Sequence, residues 1–295
     1  KRQMSWLAPR GIVAAAVASL FAFDLHEAGI EGGSSLRGMV FLVIAGTVIL
    51  QGFTAGPLAA VLGLRMKRND GFVIVGANPL GQLLSRLLAA KGESAVLIDR
   101  NDEDCDAAQR AGLDVIYGNA LEERTLLRAE VSTRRAVLAL TPNEGVNILS
   151  VRKAHNIDRE VTGYLMLMDG SELTAERKAE FGARVLFGLE VDFDLWAHRL
   201  RHDQTELSAW TFQGKGSKSL TADLDKLEAE GNQNRFLPLC VRRGDVVMPF
   251  YRAIDIRPKD TVIVLEVKNK HTKTAEWWTS LEFEETEVPA DDKEA

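Results

Sequence analysis

Hydrophobic and polar positions along the 295-residue chain fall into three regimes. The first is unbroken apolarity. Residues 38–64 run 27 positions without a charge, through Gln51 and Pro57 to Leu64. About 20 apolar residues suffice to cross a bilayer, so this stretch predicts a membrane-spanning helix, with Pro57 as a place for a kink. Residues 4–23 form a second apolar segment whose one charge is Arg10, beside Pro9. From Gly11 to Phe23 small residues recur (Ala14, Ala15, Ala16, Ala18, Ser19), and small residues let membrane helices approach closely. Between the two segments, Asp24 to Arg37 carries three acids and one base and reads as a loop. Lys1 and Arg2 flank the pair on one side, and Arg65, Lys67 and Arg68 on the other. Positive charge marks the cytoplasmic face. The flanks predict a helical hairpin in a lipid bilayer, its acidic loop outside and residues 65–295 in the cytoplasm.

Arg10 has two readings. An arginine at membrane depth is costly and by default a functional candidate. One near the cytoplasmic end can instead lay its stem along apolar surface and place its charge among headgroups.

The second regime, residues 72–187, alternates short apolar runs with helix-period patterns. Strands are expected at 72–76, 95–99, 113–117, 136–140, 161–167 and 184–187, and helices at 80–91, 103–111, 121–130, 144–155 and 172–181. Such alternation predicts a mostly parallel sheet with helices on both faces. Its right-handed crossovers gather the loops after the strands along one edge, where ligands bind. Glu190 to Gln204 then reads as an amphipathic helix. The third regime, 205–269, predicts strands at 207–212, 237–242, 245–250 and 261–267 and a helix at 221–230: a small α+β module. Residues 271–295 are acidic beyond Trp277 and Trp278 and are expected to be disordered.

Candidate chemistry concentrates in Phe72 to Arg100. Phe72-Val-Ile-Val-Gly76-Ala-Asn78-Pro-Leu-Gly81 is a strand running into a glycine-marked turn and a helix; a second strand ends on Asp99. Backbone N–H groups of such a turn, with the partial positive charge of the helix N-terminus, hold phosphate. An acid about 20 residues on accepts hydrogen bonds from ribose hydroxyls, and Asp99 lies 23 residues after Gly76. In the pattern G-x-G-x-x-G, Gly76 and Gly81 fill the first and third positions. Asn78 takes the second, where its side chain is placed to crowd a pyrophosphate. Arg100 is either a phosphate partner or solvated. The turns Gly118-Asn119-Ala120 and Thr141-Pro142-Asn143 reach the same edge; each has the alternative of simply turning the chain or capping the next helix.

Charge and cysteines narrow the classes. The formal net charge is −6. Residues 282–295 alone hold seven acids against Lys293, so the remainder is balanced and offers no nucleic-acid surface. Cys105 and Cys240 fit no metal or redox spacing and read as packing residues. His198 and His202, at i and i+4, have no third ligand in a matching pattern, so no metal is expected. No G-x-S-x-G, P-loop or H-E-x-x-H is present, so no enzyme activity is expected.

Taken together, these stretches resemble a known arrangement. Trp6-Leu-Ala-Pro9-Arg10-Gly11-Ile-Val-Ala-Ala-Ala-Val resembles a late membrane segment of NhaP-type cation:proton antiporters, and Val48-Ile-Leu-Gln51-Gly-Phe-Thr their last helix. Residues 72–187 resemble the TrkA-N/RCK domain, and Pro238 to Asp245 with Arg257 to Val262 the TrkA-C module. The resemblance implies the last two helices of a transporter (residues 1–68), a Rossmann-like RCK nucleotide-binding domain (69–204), a TrkA-C-like module (205–270) and an acidic tail (271–295). It implies exchange of Na+ or K+ for H+ across a bacterial inner membrane. Arg10 would pack in the transport core, the ion-binding acids would lie on earlier membrane helices absent here, and the chain would be a homodimer. It also implies NAD(H) or an adenine nucleotide as regulatory ligand at Gly76, Asn78, Gly81, Asp99, Arg100, Asn119, Ala120, Thr141 and Asn143. Asn119 stands where that family usually has Asp. A potassium-channel gating subunit and a membrane-anchored NAD-dependent oxidoreductase are the competing readings. Residues 24–37 contain nothing like a selectivity filter, and residues 205–269 offer no placed acid–base residues.

Overall fold

The computed structural model describes residues 12–61, 71–89, 92–171, 183–268 and 270–289. Arg10, the helix expected at 172–181 and the basic flank Arg65, Lys67 and Arg68 lie outside them. The chain divides into two compact units, Lys1–Lys67 and Arg68–Ala295.

In the first unit, helix α1 (Ile12–Glu27) packs antiparallel-style against α2 (Gly33–Val61) through a tight turn. Ala18 and Ala22 are buried, and a Cβ on Gly33 would lie 2.8 Å from the Ala22 carbonyl oxygen, so small residues set the closeness of the pair. The helices extend further than the charge pattern predicts: Asp24 to Glu27 complete α1 and Gly33 to Arg37 open α2. The loop is correspondingly short. Within α2, Gly33–Thr54 is long and apolar enough to cross a membrane, with none of that window buried inside the protein. Val43, Ile49, Leu50 and Phe53 point outward. The hydroxyls of Thr47 and Thr54 donate to carbonyls one turn back, at 2.9 and 2.6 Å, which satisfies them without water.

The second unit begins with the parallel sheet. Its strands are β1 (Phe72–Val75), β2 (Ala95–Asp99), β3 (Asp114–Tyr117), β4 (Ala136–Ala139), β5 (Thr162–Met168) and β6 (Ala183–Val191), in the order β3-β2-β1-β4-β5-β6. Every pair is parallel, so the ends of β1 to β4 share one edge. Helices α3 (Pro79–Ala89), α4 (Asp102–Arg110), α5 (Glu123–Arg128) and α6 (Glu144–Ile157) make the crossovers. Local chemistry starts them. Pro79 opens α3 with the φ that a first turn needs. Asn101 caps α4 by accepting from the Glu103 N–H, ahead of three acids, and Asn143 caps α6 by accepting from Val146.

Strand β6 runs to Val191, past the Glu190 at which a helix was expected to start. It is bent at Phe187 and Gly188, with φ of +62° and +71°. The Phe187 N–H bonds the Phe250 carbonyl there, and beyond the bend Glu190 and Val191 rejoin β5. The amphipathic helix is therefore shorter: α7, Phe193–Arg201, capped by Asp192.

The remainder is an antiparallel sheet ordered β10-β9-β12-β7-β13, from β7 (Thr205–Phe212), β9 (Phe236–Arg243), β10 (Val246–Pro249), β12 (Thr261–Val267) and β13 (Phe283–Thr286). A short pair, β8 (Lys218–Ser219) with β11 (Asp255–Ile256), and helices α8 (Thr221–Ala229) and α9 (His271–Ser280) complete it. His271–Ser280 and Phe283–Thr286 thus depart from the disorder expected of them. Trp278 is fully buried among Trp210, Phe236 and Phe283, and β13 pairs with β7 from Phe283–Phe212 to Thr286–Ala209. Three aromatic side chains in a short segment bury enough apolar area to outweigh its charge. Leu84 and Leu87 of α3 and Trp196 of α7 share one core with Leu237, Leu239, Ile263 and Leu265 of the second sheet.

Candidate functional site

The site lies at the carboxyl edge of the parallel sheet, where the loops after β1 to β4 meet. Gly76 has φ of +117°, and a Cβ there would stand 2.9 Å from the Leu140 carbonyl oxygen. At Gly81 a Cβ would lie 2.0 Å from the Gly76 carbonyl oxygen. Both glycines are therefore required for the turn itself, whatever it binds.

Asp99 closes that turn. One carboxylate oxygen accepts from the Ala77 N–H at 2.7 Å, and the other from the N–H groups of Arg100 and Asn101 at 2.6 and 3.0 Å. A carboxylate offers about four acceptor positions, so three are taken and one remains for a ligand hydroxyl. Its charge also acts on neighbours. Burial first, then the Asp99 charge, pushes the Cys105 thiol up to about 11, and the same two causes raise the Asp104 carboxyl. Cys105 is thus an unreactive buried thiol.

Asn78 faces away from the site. It is 4% exposed, donates to the Leu140 carbonyl at 2.7 Å and accepts from the Gly81 N–H at 3.0 Å. Its side chain, expected to crowd a pyrophosphate, instead caps α3 from inside. The consequence for anion binding comes through donors. Of the first three helical residues, Pro79 has no N–H and that of Gly81 is taken by Asn78. The helix N-terminus keeps its dipole but loses two of the donors a phosphate would use.

The other candidates separate. Asn119 accepts from the Leu121 N–H, forming an Asx turn ahead of α5 rather than a helix cap. Ala120 packs its methyl into the core beneath the sheet edge. Thr141 and Asn143 serve each other and α6: the Thr141 hydroxyl and N–H both bond Asn147 Oδ1, at 2.7 and 2.9 Å, and Asn143 caps the helix. Asn147 went unnoticed in the sequence. It is fully buried and donates to the Thr141 and Met166 carbonyls, tying the ends of β4 and β5 together. A polar residue on the inner face of a helix pattern was its one signal. Arg100 is exposed and lines a groove of about 610 Å³ with Tyr117, Asn119, Glu122, Arg124 and Arg128. His198 and His202 meet edge to face, ring centroids 4.3 Å apart at an interplanar angle of 68°.

A glycine turn closed by a strand-end acid, on a sheet of this strand order, is a dinucleotide-fold edge. Residues 72–186 match the family model of the TrkA-N domain. The relatives of the TrkA-N domain are potassium-transport proteins. The chain is 30% identical over 99 residues to a Trk system potassium uptake protein TrkA homolog of Pyrococcus horikoshii, covering 33% of this chain and 43% of that one. It is 28% identical over 147 residues to the voltage-gated potassium channel Kch of Escherichia coli, covering 44% of this chain and 35% of that one. The chain thus spans less than half the length of the curated relatives it matches. Among solved structures, the GsuK channel bound to NAD aligns with 95% of this chain and 58% of its own, at 13% identity and a TM-score of 0.36.

Proposed function

We propose that the chain is the C-terminal part of a cation:proton antiporter of a bacterial inner membrane, exchanging Na+ or K+ for H+, whose cytoplasmic TrkA-N domain binds a nucleotide and regulates transport. The observation that carries the proposal is the junction of two features in one chain. A 22-residue apolar span, Gly33–Thr54, stands immediately before a TrkA-N domain whose relatives are potassium-transport proteins. The domain has a regulatory rather than a catalytic role, acts as a homodimer, and takes NAD(H) or an adenine nucleotide. A ligand shifts the membrane part only by its difference in affinity for two states, so binding and transport must be linked both ways.

Binding is tested by titrating the full chain, in detergent micelles, with AMP, ATP, NAD+ and NADH. Asp99→Asn serves as the companion because it keeps the size of the acid while removing its charge. Saturable binding that Asp99→Asn weakens supports the reading; no heat from any of the four overturns its nucleotide part. The match to a potassium channel favours a second reading, a channel-gating subunit. The two part in proteoliposomes that hold this chain together with the membrane helices expected to precede it: an antiporter moves protons against Na+ or K+, whereas a channel passes K+ with no proton counterflow.

A further inference from the structure

We infer that His271 is a proton-operated clasp for the edge strand β13. Protonated, its ring ties Glu285 of that strand to Glu266 of β12; loss of the proton frees Glu285 and loosens β13 from β7 while the rest of the sheet stays folded. The inference is independent of the nucleotide and transport readings above.

The geometry suits one protonation state. His271 Nδ1 lies 2.9 Å from Glu266 Oε1, and Nε2 lies 3.1 Å from Glu285 Oε2. An ionised carboxylate only accepts, so each ring nitrogen must donate, and only the imidazolium has two N–H groups. A neutral ring has one, and its other nitrogen then points a lone pair at a carboxylate oxygen. Trp210 of β7 lies along the ring, 27° from parallel with centroids 6.1 Å apart, and backs it in this position.

Burial decides which partner is released. The Glu266 side chain is 1% exposed, and its Oε2 has no hydrogen-bond partner among the described residues. A buried carboxylate stripped of its donor is costly, so Glu266 depends on His271. Glu285 is 46% exposed, and water can replace the imidazole there. A neutral ring thus keeps its N–H on Glu266 and gives up Glu285. The other charges nearby do not substitute for the proton. Glu206 of β7 stands opposite Glu266 in register and adds negative charge. Lys268 of β12 is paired with Asp203 at 2.8 Å, and Lys270 and Lys273, beside His271 in the chain, are exposed. The hydrogen bond to Glu266 first, then the charges of Glu266 and Glu285, raise the imidazole above its ordinary 6.5 against burial. The clasp is therefore fully closed below 6.5 and opens as pH rises through the higher folded-state value.

Strand β13 is the element such a change can move. It is four residues long, at the edge of the sheet with β7 as its one neighbour, and Phe283 is its one buried residue. Its other side-chain ties, Thr286 to Thr211 at 3.1 Å and Glu284 to Gln213 at 3.0 Å, are exposed. Elements with few buried contacts open first. Helix α9, by contrast, is anchored by the fully buried Trp278 and stays in place when the clasp opens.

The test is amide hydrogen exchange on the full chain in detergent micelles at pH 6 and pH 9, with intrinsic exchange rates divided out. Protection of Phe283–Thr286 should fall about three- to tenfold from the lower pH to the higher, between the worth of an exposed ion pair and that of a hydrogen bond to a charged group. Protection of Phe236–Arg243 in β9 should not change. His271→Gln should give β13 equal protection at both pH values. Glu285→Gln, on an exposed side chain, should hold β13 at both, because an amide can donate to a neutral ring as well as accept from a charged one. A wild-type β13 whose protection does not fall would overturn the inference. So would a fall that survives in either variant, or one shared equally by β9, which would be unfolding of the whole sheet.

Discussion

Replacing Asn78 with glycine should lower stability and raise affinity for phosphate, two effects of opposite sign from one side chain. The stability cost follows from two buried hydrogen bonds, Asn78 Nδ2 to the Leu140 carbonyl at 2.7 Å and Gly81 N–H to Asn78 Oδ1 at 3.0 Å. Each is worth about 0.5–1.5 kcal/mol net, and glycine as a helix cap recovers all but a few tenths of the second. The Leu140 carbonyl is then left at 0% exposure of its residue, which adds roughly 1 kcal/mol. The total is about 1–3 kcal/mol, a fall in Tm of some 2–12 °C at roughly 2–4 °C per kcal/mol. The gain comes from the same Gly81 N–H, released at a helix N-terminus where a phosphate can use it. A charge-assisted bond of about 1.5 kcal/mol is about tenfold in Kd. Thermal melts followed by tryptophan fluorescence measure the first effect, and titration with AMP measures the second. Adenosine, without a phosphate, is the control and should be unaffected. An AMP affinity that falls together with the Tm, or adenosine and AMP changing alike, would refute the reasoning: Asn78 would then be holding the site's shape rather than consuming its donor.

Two further outcomes concern the antiparallel sheet. His271 lies between two carboxylates, with Nδ1 2.9 Å from Glu266 on β12 and Nε2 3.1 Å from Glu285 on β13; Glu206 stands opposite Glu266 in register. The hydrogen bond to Glu266, with the charges of Glu266 and Glu285, raises the imidazole above its ordinary 6.5 against the opposing effect of burial. A group with a raised folded-state pKa stabilises fully below its unfolded value and loses that contribution as pH climbs through the folded one. His271→Gln should therefore cost about 1–2 kcal/mol at pH 6, a figure reduced because the imidazole is 40% exposed, and much less at pH 9. Urea denaturation of both proteins at the two pH values checks this, and an equal difference at both would count against the clamp. Trp278→Ala should cost about 3–5 kcal/mol, because the ring is fully buried against Trp210, Phe236 and Phe283. Trp278→Phe should cost less than half as much: the indole N–H it removes finds no acceptor among the described residues. Equal losses in the two variants, read by the same denaturation, would mean that the N–H is bonded after all.

What the sequence made legible, and what it hid, divides along one physical line. Periodicity reports burial, and burial is what builds β1, β2 and β4: Phe72–Val75 and Ala136–Ala139 are buried at every position, so their unbroken apolar runs mark central parallel strands. The glycine turn and Asp99 were legible because their spacing is a constraint of one local unit, strand, turn, helix and strand. Interactions between distant segments left no such mark. Nothing within Asp102 to Asp158 announces that Asn147 will bond Thr141 on one side and Met166 on the other. Seven acids among the last fourteen residues outweighed Trp277 and Trp278 in a reading by composition. In the fold, Glu284 and Glu285 are exposed on a strand whose Phe283 is buried, and composition cannot register one buried anchor in so short a run. Asn78 shows why a motif departure needs geometry before it carries a functional meaning. In the sequence it is a bulky residue at the point of closest approach to a ligand. In the structure it is turned inward, and its effect on a ligand is exerted through the one N–H it occupies. A residue can thus weaken an anion site without touching the anion, by satisfying the donor the anion would have used. On the nucleotide reading, the Gly81 amide, rather than the size of residue 78, would set how tightly this turn holds a phosphate.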